Sequence, residues 1–233
     1  MAPPILFIPG FMQPASAWAP VADRLDEPTV LLEHRQHWFE GRLAEIAEAG
    51  EGAILAGYSL GGRLALRAAL REPDRYAGLV TVGATAGIED PVIRAARAEA
   101  DDRLASWVEA APIEDVVAIW ERQPLFADQS EQLIEDQRAG RLAQDPTELA
   151  RVLRSAGQGV LEPVWHELLT LELPVLAIAG ARDEGYSSAA QKIAATAPDG
   201  RAQIVADAGH AAHLQQPEAV ASLIAQFRAA LDA

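Results

Sequence analysis

Three residues carry types that could activate a poor nucleophile: Ser59, Asp183 and His210. Ser59 stands in Gly57-Tyr58-Ser59-Leu60-Gly61, directly after the apolar run from Ala53 and directly before a helical pattern. A serine on a tight strand-to-helix turn projects its hydroxyl, small neighbours relieve the crowding there, and the helix N-terminus offers positive potential to a developing anion. A hydroxyl still needs a base, and the base an orienting carboxylate. Asp183 follows Val175-Leu-Ala-Ile-Ala-Gly180, an apolar run closed by glycine, and His210 follows Ile204-Val-Ala-Asp-Ala-Gly209. Each of the three falls just past the C-terminal end of an expected strand, where parallel sheets gather their ligands.

The competing residues are weaker. Asp207 reads as a turn residue, and His213, lacking the preceding glycine, as a helix-start or pocket-rim residue. His34 and His37 are three apart in a loop and do not form a helical i,i+4 pair, and His166 reads as a surface residue. No metal and no cofactor are implied. An anion formed beside Ser59 would be met by the backbone N–H of Leu60 and by one from the loop after the first strand, for which Phe11 is the expected second donor.

The elements that must position these residues alternate. Strands are expected at Pro4 to Ile8, Thr29 to Leu32, Ala53 to Tyr58, Ala77 to Gly83, Pro174 to Ala179 and Ala202 to Val205. Helices are expected at Ser16 to Leu25, Phe39 to Glu48, Leu60 to Arg71, Ser187 to Ala195 and Pro217 to Leu231. This is an α/β chain with a mostly parallel central sheet flanked by helices. Between Ile88 and Leu168 the β-branched alternation disappears, and helices broken near Pro112, Pro124, Pro146 and Pro163 are expected instead. The expected division is a core of 1–87 and 169–233 with a helical cap insertion at 88–168.

Composition narrows the function. A 233-residue chain, half of it hydrophobic, suits one domain with an insertion. The formal net charge of −15 argues against nucleic acid and against an anionic membrane surface. No apolar run reaches membrane-spanning length and no signal peptide is read at the N-terminus. The absence of cysteine suits a cytoplasmic setting. A small-molecule partner is the expectation.

The order Ser59, Asp183, His210 and the elbow around the serine resemble the α/β-hydrolase superfamily, over nearly the whole chain. More narrowly, the chain resembles the 2-succinyl-6-hydroxy-2,4-cyclohexadiene-1-carboxylate synthases of menaquinone biosynthesis. That likeness rests on GYSLGGR, RAARAEADDRLA, WERQPLF, LRSAGQGVLEPVW, LAIAGARDEGY and GHAAHLQQPEAV. It implies an α/β-hydrolase fold and a serine that abstracts a ring proton, so that pyruvate leaves an enolpyruvyl-cyclohexene carboxylate by elimination. It also places Arg63, Arg97 and Trp120 at substrate-binding positions, with Tyr58 and Tyr186 expected to line the same pocket. Guanidinium suits this task because it binds carboxylates through two parallel hydrogen bonds. Read singly, Arg63 is equally a solvated helix residue, Arg97 a cap-surface charge and Trp120 cap core. The chain departs from the family pattern at Pro9-Gly10, where His-Gly is usual, and at Gly185, where a lysine is common. A carboxylesterase working through an acyl-Ser59 intermediate is the alternative.

Overall fold

The structure, a computed structural model, describes residues 3–231; residues 1, 2, 232 and 233 of the expected core lie outside them. Six strands, β1 Ile5–Ile8, β2 Thr29–Leu31, β3 Ile54–Tyr58, β4 Gly78–Val82, β5 Val175–Gly180 and β6 Gly200–Val205, pair in the order β2-β1-β3-β4-β5-β6. Every pairing is parallel. The central strands are apolar along their length because both sheet faces are covered. Alternate residues feed opposite layers. Ile5 and Phe7 of β1 join Ile54, Ala56, Val80 and Ile178 on one side, while Leu6 and Ile8 join Leu55, Leu79 and Ala177 on the other.

Helices α1 Ala19–Ala22, α2 Phe39–Ala49 and α3 Leu60–Arg71 belong to the first half of the chain. Only α1 departs much from expectation. Instead of one helix over Ser16 to Leu25, a 3-10 turn at Ala15–Trp18 leads into a single α-turn. Pro20 has no N–H for the ladder and its ring crowds the preceding turn, so the run cannot form one continuous helix.

Between β4 and β5 stand α4 Pro91–Ala110, α5 Ile113–Trp120, α6 Glu131–Leu142, α7 Pro146–Ala156 and α8 Trp165–Leu168. Asp90 and Asp145 cap α4 and α7, each followed by proline at the first helical position, where the missing N–H is not needed. Ser130 caps α6, a start that no proline marks. These helices share an apolar cluster of their own, with Ala105, Val108, Val117, Leu149 and Leu153, which Met12 from the β1 loop joins. They are tied down to the sheet layer by backbone acceptors. Arg67 Nη2 donates to the Glu162 carbonyl at 2.7 Å and Trp165 Nε1 to the Gly87 carbonyl at 2.9 Å.

The chain closes with α9 Glu184–Thr196, α10 Ala212–Gln215 and α11 Pro217–Ala229. Among the described residues no helix is long and apolar enough to cross a membrane.

Candidate active site

Ser59 occupies the turn between β3 and α3 with φ +49° and ψ −108°, a conformation that residues with a side chain rarely adopt. Its N–H is held by the Val82 carbonyl at 2.8 Å, and its carbonyl accepts from the Arg63 N–H at 3.0 Å. The flanking glycines are steric requirements. A Cβ on Gly57 would strike the Gly61 carbonyl, and one on Gly61 the Ile8 carbonyl. The tight turn therefore needs both.

Asp183 and His210 come from neighbouring loops at the same sheet edge. The Ala181 N–H donates to the Val205 carbonyl and the Arg182 N–H to the Ala208 carbonyl, each at 2.9 Å, so the loops after β5 and β6 are stitched together. The result is a line of side chains. His210 Nδ1–H donates to Asp183 Oδ2 at 2.8 Å, and Nε2 lies 3.1 Å from Ser59 Oγ. Since the carboxylate can only accept, the proton sits on Nδ1, leaving the Nε2 lone pair for the serine hydroxyl. The His210 side chain is 1% exposed and that of Asp183 12%. Such a line can remove a proton from the serine, or through it from a bound molecule. Asp207 stands apart at φ +56°, exposed and bonded to Arg182, as a turn residue should.

A cleft of about 870 Å³, open to solvent, lies over Ser59 and His210 between the sheet edge and the helical insertion. Phe11, Tyr58, Leu60, Arg63, Arg97, Trp120 and Tyr186 all line it, so the residues singled out in the sequence converge on one space. Asp183 sits behind His210 rather than in the wall. Trp120 packs edge-on against Phe11, ring centroids 5.1 Å apart, and Tyr186 lies against His210 at 4.4 Å. Burial raises the pKa of the Tyr186 phenol, against the pull of Arg63 and Arg97.

The cations share this space. Arg63 donates to the Ala156 carbonyl at 3.1 Å, and burial, with Arg97 nearby, brings its pKa down to about 10, which still leaves it charged at neutral pH. Arg97 is aimed by Asp101 at 2.7 Å and by Gln158 Oε1 at 2.8 Å, while the second Asp101 oxygen accepts from the Gly159 N–H at 3.0 Å. A third guanidinium escaped the sequence reading. Arg141 of α6 lines the same cleft, is 3% exposed, and is held by Glu121 at 3.1 Å and Gln137 at 2.8 Å. Its Nε has no hydrogen-bond partner among the described residues. The sequence signal available was only an arginine in the last turn of an otherwise polar helix. Asp101 and Glu121 balance Arg97 and Arg141, while Arg63 is held by a neutral carbonyl, so the cleft keeps a positive charge that favours an anionic occupant.

His213, expected at a helix start or pocket rim, does begin α10 but is completely buried and does not line the cleft. The apolar sequence around it, Ala-Ala-His-Leu, allows the ring to pack inward. Among the described residues no group of three or more His, Asp or Glu side chains is arranged to hold a metal ion.

The order of strands, the elbow and the helical insertion define the class. The chain belongs to the alpha/beta hydrolase family, whose model matches residues 5–223. Among curated proteins it is similar to the putative 2-succinyl-6-hydroxy-2,4-cyclohexadiene-1-carboxylate synthase of Bacillus subtilis (strain 168). Identity there is 35% over 177 residues, covering 74% of this chain and 64% of that protein's length. It is also similar to the synthase of the same name from Salmonella paratyphi C, 28% identical over 241 residues, covering 97% and 94% of the two chains. The solved structure of MenH from S. aureus superposes with a TM-score of 0.88 at 24% identity, covering 99% of this chain and 95% of that one. A thermophilic esterase from Thermogutta terrifontis, studied with malate bound, gives 0.80 at 21% identity, covering 100% and 92%. At those identities the two superpositions speak for the fold alone.

Proposed function

We propose that this chain is a 2-succinyl-6-hydroxy-2,4-cyclohexadiene-1-carboxylate synthase, a lyase of menaquinone biosynthesis acting on a small, multiply charged carboxylate. The observation that carries this reading is the pairing of a serine–histidine–aspartate line with three arginines in one cleft. Ester hydrolysis needs the first feature and has little use for the second. In this reading His210, held in the Nδ1–H tautomer by Asp183, draws the proton from Ser59, and the Ser59 oxygen takes a ring proton from the substrate. The C–H electrons form a ring double bond, the C–O bond to the enolpyruvyl group breaks, and the departing enolate is protonated to pyruvate. The N–H groups of Phe11 and Leu60 face the negative charge that builds during the step, where preorganised donors are most effective. Arg63, Arg97 and Arg141 bind the carboxylates, and residues 88–168 act as the cap that supplies two of them. Tyr58, Trp120 and Tyr186 shape the apolar wall.

The elbow and the anion donors equally support the carboxylesterase reading, in which Ser59 is acylated. Pyruvate release separates the two. Wild-type protein should liberate pyruvate from the enolpyruvyl-cyclohexene substrate without acylation of Ser59. Turnover of short esters with a trapped acyl-Ser59, and no pyruvate above background, would favour the esterase.

A further inference from the structure

The proposed chemistry leaves His213 unused, although it lies three residues beyond His210 and is completely buried. Its ring packs at a tilt against Trp18, at a centroid distance of 4.5 Å, and against Tyr58, at 4.2 Å. Burial, reinforced by neighbouring His210, draws its pKa down to about 3, so the ring is neutral. Nδ1 has no hydrogen-bond partner among the described residues, and Nε2 lies 3.5 Å from Gln13 Nε2. The far end of the Gln13 amide is set by the backbone, because the Gly10 N–H donates to Oε1 at 3.2 Å. A backbone N–H can only donate, so Oε1 faces Gly10 and the amide NH2 faces His213. Two donors cannot share that contact. Nε2 therefore carries the lone pair and the ring proton sits on Nδ1.

These contacts end on a strained turn. Met12 is buried in the left-handed region at φ +58°, which a non-glycine residue keeps only where its surroundings impose it. The Gln13 N–H closes the turn on the Gly10 carbonyl at 3.3 Å. The Tyr58 ring packs beneath Gly10 so closely that a Cβ there would sit 2.6 Å from it. The turn is thus braced by Tyr58 from below and by the Gln13 amide from the side. His213 touches both braces.

We propose that His213 is a positioning residue that acts through Gln13 to fix the Gly10–Gln13 turn, and so aims the Phe11 N–H into the cleft. This role rests on the reading of Phe11 and Leu60 as anion donors. It gives a purpose to His213, which does not line the cleft, and to its contact with Gln13, which does, 200 positions away in the chain.

The test is the rate at which a fluorophosphonate labels Ser59, since its phosphoryl oxygen must enter the same anion site whatever the natural substrate. His213→Phe keeps an aromatic ring against Trp18 and Tyr58 and removes the acceptor; Gln13→Leu removes both amide contacts. Each should slow labelling about tenfold, and the double variant no further than the slower single, as expected of two members of one chain of contacts. Wild-type labelling rates in either single variant, or losses that multiply in the double, overturn the proposal. Wild-type protein that is not labelled at all would instead remove the Ser59 reading beneath it. Should the variants fail to fold, histidine 15N NMR of the wild-type protein decides: His213 is expected with its proton on Nδ1, and a proton on Nε2 contradicts the assignment.

Discussion

Asp183 gives its two oxygens to two separate tasks, so one substitution can set them against each other. Oδ2 accepts from His210 Nδ1 at 2.8 Å, while Oδ1 accepts from the Tyr186 N–H at 3.2 Å and caps α9. Asp183→Asn retains a single acceptor oxygen. If that oxygen keeps the cap, the new NH2 faces His210 and forces the imidazole into the tautomer that presents N–H to Ser59. Such a ring cannot take the serine proton, and the comparable change in a serine protease lowers kcat by roughly 10⁴. A loss of about 10³ to 10⁴ is expected here, or about 4 to 5.5 kcal/mol in the barrier. Asn and Asp are equivalent N-caps, so Tm should hold to within about 1 or 2 °C. If the amide turns the other way, His210 recovers its acceptor but the cap is lost, at about 1 kcal/mol or about 2 to 4 °C for a chain of this size. Activity and stability cannot both survive. Pyruvate release and thermal unfolding, measured on the same preparation, read the two tasks independently. Asp183→Asn with more than a tenth of wild-type kcat and an unchanged Tm would refute the reasoning.

Other consequences follow from the cations and the buried histidines. Arg63→Met should raise KM for the carboxylate substrate by about 10- to 100-fold, the worth of one charged hydrogen bond, and leave the rate at which a neutral fluorophosphonate labels Ser59 nearly unchanged. Equal losses in both would make Arg63 a structural residue, held through the Ala156 carbonyl. Burial holds His34 at about 4 and His213 at about 3, against 6.5 when exposed. Above pH 6.5 neither the folded nor the unfolded chain protonates them. Below it the unfolded chain binds protons that the folded one refuses, so stability falls toward pH 4 by up to about 1.4 kcal/mol per pH unit for each group. A Tm profile between pH 7 and 4.5 should show that decline, and His213→Phe should make it shallower; an unchanged slope would count against the burial effect.

The four central strands were readable because they are short apolar runs, β1 followed by Pro9-Gly10, β4 by Gly83 and β5 ending in Gly180, and glycines likewise mark where Ser59, Asp183 and His210 emerge. Parallel pairing then brings residues 124 and 27 positions apart onto one edge, with no further information needed. Arg141 is the opposite case. It reaches the cleft only because α6 packs across it, and nothing local distinguishes it from the paired Arg138 beside it. His213 and Gln13 were equally hidden, since their contact depends on where the β1 loop lies against α10. The one misread element, the helix at Ser16 to Leu25, failed where proline overrides an apolar pattern. Short-range chemistry was legible; the far wall of the cleft was a property of packing.

The most direct measurement follows the fate of the enolpyruvyl-cyclohexene substrate with wild-type protein and with Ser59→Ala. Pyruvate and the cyclohexadiene product should appear in equal amounts with the wild type and at background with the variant. Intact mass of the quenched protein should show Ser59 unmodified throughout. Pyruvate release at the wild-type rate from Ser59→Ala, or an acyl adduct accumulating on Ser59 during turnover, would contradict the account.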